Sequence, residues 1–163
     1  MATLMKSKVL QLLKNRIAHL LLLLLLLSFV FKKGFKTYYN YGGSMEPTLR
    51  SHQLLIVNKL WYDLVPVYRY DIVIIEKPDE HLCKRIVALP NEIIEIKEGK
   101  ILVNDKPLKD DPIKTTYSFE SKGNSFPRTL LKANEYFYIG DDRDESVYGI
   151  ASMDDIRGKV MLK

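Results

Sequence analysis

Two residues in this chain combine a chemically useful type with a suggestive setting, Ser44 and, forty positions on, Lys84. Ser44 stands in Gly42-Gly43-Ser44-Met45-Glu46-Pro47-Thr48-Leu49. Gly42 and Gly43 permit positive φ or close approach to a ligand, and Pro47 fixes the turn three residues on. A serine on such a turn can present its hydroxyl and its own N–H to one substrate carbonyl, as a nucleophile with an oxyanion hole must. Taken alone, Ser44 reads as a turn serine, because Gly, Ser and Pro are the commonest turn residues.

A serine nucleophile needs a base. Lysine serves only when neutral; with an unperturbed pKa near 10.4, about one lysine in a few thousand is neutral at pH 7, and apolar burial can lower that pKa by ~3–5 units. Lys84 lies in Leu82-Cys83-Lys84-Arg85-Ile86-Val87-Ala88-Leu89-Pro90, an apolar strand-like run that suits this. Strand alternation sends Arg85 to the opposite face, toward solvent or an acidic partner. In isolation Lys84 reads as a surface lysine on an edge strand. His52 and His81 are the competing bases, although neither has an Asp or Glu in a recognisable triad context and both read as exposed loop residues. The third segment is Tyr138-Ile139-Gly140-Asp141-Asp142-Arg143-Asp144-Glu145-Ser146. Charges after an apolar strand usually make a solvated turn. Here Arg143 could instead lock the loop through Asp144 and its other acidic neighbours, leaving Ser146 to orient a buried amine.

The elements that must position these groups follow from composition. At 163 residues there is room for one membrane segment and one modest domain. Lys6, Lys8, Lys14, Arg16, Lys32, Lys33 and Lys36 place seven positive charges and no acid within residues 1–36, so the other 127 residues are net −2 although the whole chain is +5. The basicity flanks an apolar run, where it suits anionic lipid headgroups, and the globular part has no excess that favours nucleic acid. That run, Ile17 to Phe31, is 15 residues and would span roughly 22 Å, short of a ~30 Å hydrocarbon core unless its flanking cations reach outward. Ser28-Phe29-Val30-Phe31-Lys32-Lys33 offers no small-x-small cleavage site, which favours an uncleaved anchor over a signal peptide. Four basic residues precede the run and three follow it, a weak bias toward a cytoplasmic N-terminus. One cysteine forms no internal disulfide, and His19, His52, His81 and Cys83 show no metal-ligand spacing, so neither metal nor cofactor is expected.

Phe35 to Tyr41, with Tyr38, Tyr39 and Tyr41, fits a membrane interface or a strand equally well. Beyond it come short β-branched and aromatic runs at 54–57, 71–75, 85–87, 92–97, 100–103 and 135–139, with hairpin turns at Glu98-Gly99 and Asn104-Asp105. A mostly β domain over residues 37–163 is expected behind an anchor over 1–36, with a long loop or irregular strand from 106 to 134, where Pro112, Gly123, Asn124 and Pro127 fall.

The three segments, in this order behind an N-terminal anchor, resemble the bacterial type I signal peptidases. The family's Ser-Met-x-Pro-Thr-Leu is met by Ser44 to Leu49, its Lys-Arg-Val/Ile-x-x-Leu-Pro-Gly by Lys84 to Pro90 with Asn91 for Gly, and its Gly-Asp-Asn-Arg-Asp-x-Ser by Gly140 to Ser146 with Asp142 for Asn. Arg69-Tyr70-Asp71-Ile72-Val73 is similar to a further segment, with Tyr70 for Gly, and Val57-Asn58-Lys59-Leu60-Trp61-Tyr62 to another. The resemblance covers nearly the whole chain, to Ile156-Arg157-Gly158-Lys159-Val160. It implies a signal-peptidase-like β domain outside the cytoplasm that cuts exported preproteins after small-x-small sequences, with a Ser44–Lys84 dyad, Ser146, Gly42, Gly43, Arg143 and Asp144 in support, membrane lipid as surroundings, and no nucleic-acid partner.

Gly42 stands where some members carry a serine that lends its hydroxyl to the oxyanion hole, so the Ser44 N–H would supply most of that stabilisation. Val147-Tyr148-Gly149 replaces the Asp-Ser-Arg that often follows the third segment, which removes a supporting ion pair. Two other readings compete. A self-cleaving repressor-type Ser-Lys protease would carry a DNA-binding domain where this chain has leucines. A signal-peptidase-like accessory protein that binds pilin or other surface-protein precursors without cutting them would be marked by loss of the serine or lysine.

Overall fold

The structure, a computed structural model, describes residues 2–109, 112–113 and 125–162. Its chain forms two compact units, Met1–Phe35 and Lys36–Lys163. The first is the helix α1, Ala2–Gly34, 33 residues long. It runs well past the 15-residue apolar stretch because Lys and Arg are good helix formers and carry the helix through Lys14, Arg16, Lys32 and Lys33. Lys32 and Lys33 sit in its last turn, where the partial negative charge of the helix end favours cations. Leu13–Gly34, 22 residues, is long and apolar enough to cross a membrane, at roughly 33 Å. Leu20 to Leu27 are all exposed.

The second unit is β. In chain order its elements are β1 (Phe35–Asn40), β2 (Gln53–Asn58), the short helix α2 (Trp61–Leu64), β3 (Ile72–Glu76), β4 (His81–Ala88), β5 (Ile93–Lys97), β6 (Lys100–Val103), β7 (Lys106–Pro107), β8 (Phe126–Leu130), β9 (Glu135–Ile139), β10 (Tyr148–Ser152) and β11 (Ile156–Leu162). Seven strands make one sheet in the order β1-β2-β11-β3-β4-β9-β10, and four make a second in the order β7-β6-β5-β8. The tyrosine-rich stretch after the helix is therefore strand β1, and its polar and aromatic residues serve a sheet edge.

Turn chemistry sets the smaller sheet. Glu98 (φ 49°) with Gly99 (φ 69°), and Asn104 (φ 53°) with Asp105 (φ 62°), form two-residue turns with positive φ at both positions, whose twist matches antiparallel strands. The expected 106–134 excursion is less irregular than its composition implies: β7 and β8 lie within it, and β8 pairs antiparallel with β5 through Ile93–Leu130 and Ile94–Thr129. Pro127 hid β8 from the sequence reading, yet as the outer strand of its sheet β8 accommodates a proline. Gly123 and Asn124 lie outside the described residues.

Three buried clusters hold the domain. Val87, Ala88, Ile94, Ile96, Leu131, Phe137 and Ile139 pack where the two sheets meet. Val73, Ile75, Ile86, Tyr138 and Ile156 form a second cluster within the larger sheet. The third matters most here: Met45 and Leu49 drop from the turn after Ser44 onto Leu55, Val57, Ile72, Ile74 and Cys83. Full burial of Met45 and Leu49 is worth about 1.5–3 kcal/mol each and pins that turn to the sheet.

Candidate active site

The turn carrying Ser44 is closed by Glu46 N–H donating to Gly43 O (2.8 Å) and Leu49 N–H to Met45 O (2.9 Å), and the Glu46–Pro47 peptide is cis. Gly42 takes φ 81°, and a Cβ there would meet nothing within 4 Å. Gly42 is thus required for its dihedral, not for space.

Lys84 lies on β4 opposite Val73 of β3 and is 3% exposed. Its Nζ is 2.6 Å from Ser44 Oγ. Burial pushes its pKa below the ordinary 10.5, because desolvation disfavours the ammonium; Cys83, Glu80 and Asp141 act more weakly in the other direction. Cys83 itself is pushed up to about 12, chiefly by burial, so its thiol is uncharged at neutral pH and places no anion beside the amine. Here the serine and lysine that looked ordinary singly are in hydrogen-bond contact.

Arg85, next along β4, is 5% exposed and meets the acidic partner that strand alternation allowed. Its Nε and Nη2 donate to the two oxygens of Asp141 (2.7 and 2.5 Å), Nη1 donates to Tyr70 O (2.9 Å), and Nη2 points at Thr48 Oγ1 (3.4 Å). Asp141 is 0% exposed. One guanidinium therefore ties together the Lys84 strand, the third segment and the Ser44 turn. The sequence reading leaves Arg85, Asp141 and Thr48 out of the site; the signal for the ion pair is a cation inside one apolar strand and an acid just after another.

Ser146 is placed differently from expectation. Its Oγ accepts the Gly140 N–H (2.7 Å) and donates to Val147 O (2.8 Å), so its single proton is spent on backbone and it makes no hydrogen bond to Lys84. What it braces is the other side of the Ser44 turn. A Cβ at Gly140 would lie 2.1 Å from Ser44 O and 2.2 Å from Ser146 Oγ, and Asp142 N–H donates to Ser44 O (3.1 Å). Gly140 is thus compressed between the two serines, where only a hydrogen fits. Asp142 Oδ1 accepts from the N–H groups of Asp144 (3.2 Å) and Glu145 (3.1 Å), and Arg143 is buried. The loop is held by these bonds and by Arg85–Asp141 although Val147-Tyr148-Gly149 passes straight into β10. Two other departures from the family pattern, Tyr70 (φ 73°) and Asn91 (φ 64°), both occupy left-handed backbone at positions where the pattern has glycine. Asn tolerates that region, whereas Tyr pays about 1–2 kcal/mol for it.

Ser44 and Lys84 line a cavity of about 380 Å³ whose other walls include Tyr38, Tyr39 and Tyr41 of the β1 side and Leu82 of β4. His81 lines the same cavity, but its ring stacks edge-on to Tyr38 and its Nδ1 is 3.9 Å from Glu76; His52 Nδ1 is 2.9 Å from Ser51 Oγ. Neither is hydrogen-bonded to Ser44. A larger hollow of about 720 Å³ along Tyr68, Tyr70 and Leu89 contains neither member of the pair.

A hydroxyl in contact with a buried amine puts a group able to attack a carbonyl beside one able to take its proton when neutral. The chain belongs to the family described as signal peptidase, peptidase S26, whose model matches residues 11–163. It is 33% identical over 141 residues to a signal peptidase I of Bacillus caldolyticus, covering 77% of each chain. It is 29% identical to signal peptidase I S of Bacillus subtilis, covering 87% of this chain and 78% of the relative. A crystal structure of a signal peptidase I from Enterococcus faecalis aligns with TM-score 0.49 and 21% identity, over 60% of this chain and 98% of that one.

Proposed function

We propose that this signal peptidase family member is a membrane-anchored serine endopeptidase that cleaves exported preproteins with a Ser44–Lys84 dyad. The observation that carries the reading is the 2.6 Å contact between Ser44 Oγ and a lysine that is almost wholly buried. Neutral Lys84 takes the Ser44 proton as Oγ attacks the scissile carbonyl, and the resulting ammonium returns a proton to the leaving amine. The Ser44 N–H supports the developing oxyanion, since Gly42 has no hydroxyl to offer. Gly42 and Gly43 shape the turn. Ser146, with Arg143 and Asp144 in its loop, acts as a positioning residue on the Ser44 backbone through Gly140.

Strand register supports a place for the substrate. β3 flanks β4 from His81 to Arg85, whereas β9 flanks it only from Arg85 onward, so among the described residues His81–Lys84 has a strand on one side alone. The Ser44 cavity lies along that stretch. An extended peptide adding to this open edge would deliver a carbonyl to Ser44, with confined space beside it favouring the small side chains of small-x-small sites.

Cleavage should rise with pH. Because burial lowers the Lys84 pKa, the neutral, competent base accumulates from below the ordinary 10.5, and the rising limb of kcat/KM reports that value. Processing of a labelled preprotein by detergent-solubilised protein across pH checks this; a limb that disappears in His52→Ala or His81→Ala would restore a histidine base.

In this reading residues 1–36 anchor the chain and 37–163 form the catalytic domain. The exposed leucines of α1 meet lipid, the N-terminus is cytoplasmic and the β domain faces outward, where exported substrates emerge. Protease added to intact protoplasts is expected to digest the β domain and spare the N-terminus; protection of the whole chain until lysis would reverse the orientation.

A further inference from the structure

The cavity that holds Ser44 and Lys84 has one carboxylate on its wall, Glu80. Glu80 is exposed at the end of the turn leading into β4, where its carbonyl accepts the Lys77 N–H (2.9 Å), and it makes no ion pair among the described residues. Of the other acids at this end, Asp79 is exposed beside it, and Glu76 is paired with Arg157 and lies 3.9 Å from His81. From β1 the wall is contributed by Tyr38, Tyr39, Asn40 and Tyr41, and from β3 by Ile74, all uncharged. Lys36 Nζ sits 4.7 Å over the Tyr38 ring, and Lys77, in the turn before Glu80, has its Nζ 5.8 Å over the Tyr138 ring. When Lys84 is neutral, as the dyad requires, the wall itself carries a negative charge from Glu80.

Glu80 immediately precedes β4 and lines the Lys84 cavity, so at most roughly 13 Å of extended chain separates it from the reacting lysine. A peptide extended along that edge advances ~3.3 Å per residue. We propose that Glu80 is a specificity-determining residue of the substrate cleft, favouring a basic side chain and rejecting an acidic one about four residues from the scissile bond. This rests on the Ser44-centred cleft proposed above. It supplies a charge preference that a small-x-small rule lacks, and one that bears on a part of the substrate remote from the cut.

The test is a peptide series around one cleavable sequence, with Lys, Gln or Glu placed singly at each of five positions on either side of the cut. Full-length protein in detergent is assayed for kcat/KM, and the Ser44→Ala form for peptide affinity by fluorescence anisotropy. At one position, near the fourth from the cut, Lys should be preferred over Glu by about 1.5- to fivefold, the range of exposed charge pairs. The preference should fade in 0.5 M salt as exposed charges are screened. Glu80→Gln should abolish it and Glu80→Lys reverse it, each read as the Lys-to-Glu ratio within one variant, so that any change in the Lys84 base shared by all peptides cancels. Equal Lys-to-Glu ratios in wild type and Glu80→Gln at every position would overturn the inference. The anisotropy arm separates it from the dyad: a charge preference in affinity that depends on Glu80 upholds the inference even if no peptide is cut, whereas Ser44-dependent cutting without charge preference removes the inference and leaves the dyad standing.

Discussion

Ser44→Ala and Lys84→Ala should each lower preprotein cleavage by about 10⁴-fold or more, with the fold intact. On the proposed mechanism the serine variant loses the attacking oxygen and the lysine variant the group that accepts its proton, so the two losses should not add in the double variant. Lys84→Arg should be as inactive as alanine, because a guanidinium stays protonated. Lys84→Met distinguishes chemistry from folding. In the folded chain the Lys84 pKa lies below its unfolded value, so the unfolded state binds the extra proton; stability rises with pH through the interval ending near 10.5 and is penalised below it. Methionine at this position removes that penalty, so Lys84→Met should be inactive yet at least as stable at pH 7 as wild type. Measurement of the mature product by mass spectrometry, with urea unfolding alongside, checks both parts; near-normal turnover by any well-folded member of this set would remove the dyad.

The largest stability effect is expected at Arg85. Arg85→Met would leave the Asp141 carboxylate in a wholly buried position without its bidentate partner, at a cost of about 3–5 kcal/mol, a large share of the ~5–15 kcal/mol that holds a typical domain. Asp141→Leu should cost a similar amount by stranding the guanidinium. The double variant should recover much of the loss, since a buried ion pair can be replaced by apolar residues at little net cost. Activity should not recover with stability, because Arg85 also reaches Tyr70 O and Thr48 and so fixes the Lys84 strand against the Ser44 turn. Urea titrations of the four-member cycle, read with cleavage rates, measure this; a coupling below about 0.5 kcal/mol, the usual additivity error, would make the pair incidental.

Much of this protein is legible in its sequence. The mostly β architecture could be read because β-branched runs alternate with turn residues whose left-handed preference is local. Glu98-Gly99 and Asn104-Asp105 dictate their hairpins within two residues. The apolar helix was equally plain, although the run of leucines understated its length, because helix propensity does not stop where charge begins. Strand β8 was missed, since Pro127 lowers the local signal and its pairing partner, β5, lies thirty residues earlier.

The site divides the same way. Ser44 and Lys84 were nominated by their settings and by the resemblance those settings carry, and their residue types alone determine which proton transfers are possible. Their 2.6 Å contact is a tertiary fact, as are the burial that lowers the lysine pKa and the destination of each hydroxyl proton. Ser146 shows the difference most clearly. Sequence position suggested an orienting contact with Lys84, but the backbone of Gly140 and Val147 takes its hydrogen bonds first. Arg85 is the converse: alternation decided its face, and only the return of β9 beside β4 brought Asp141 to meet it. Local chemistry is written in the order of residues, whereas desolvation and pairing depend on what distant strands place around a group, and those are set when the sheet closes.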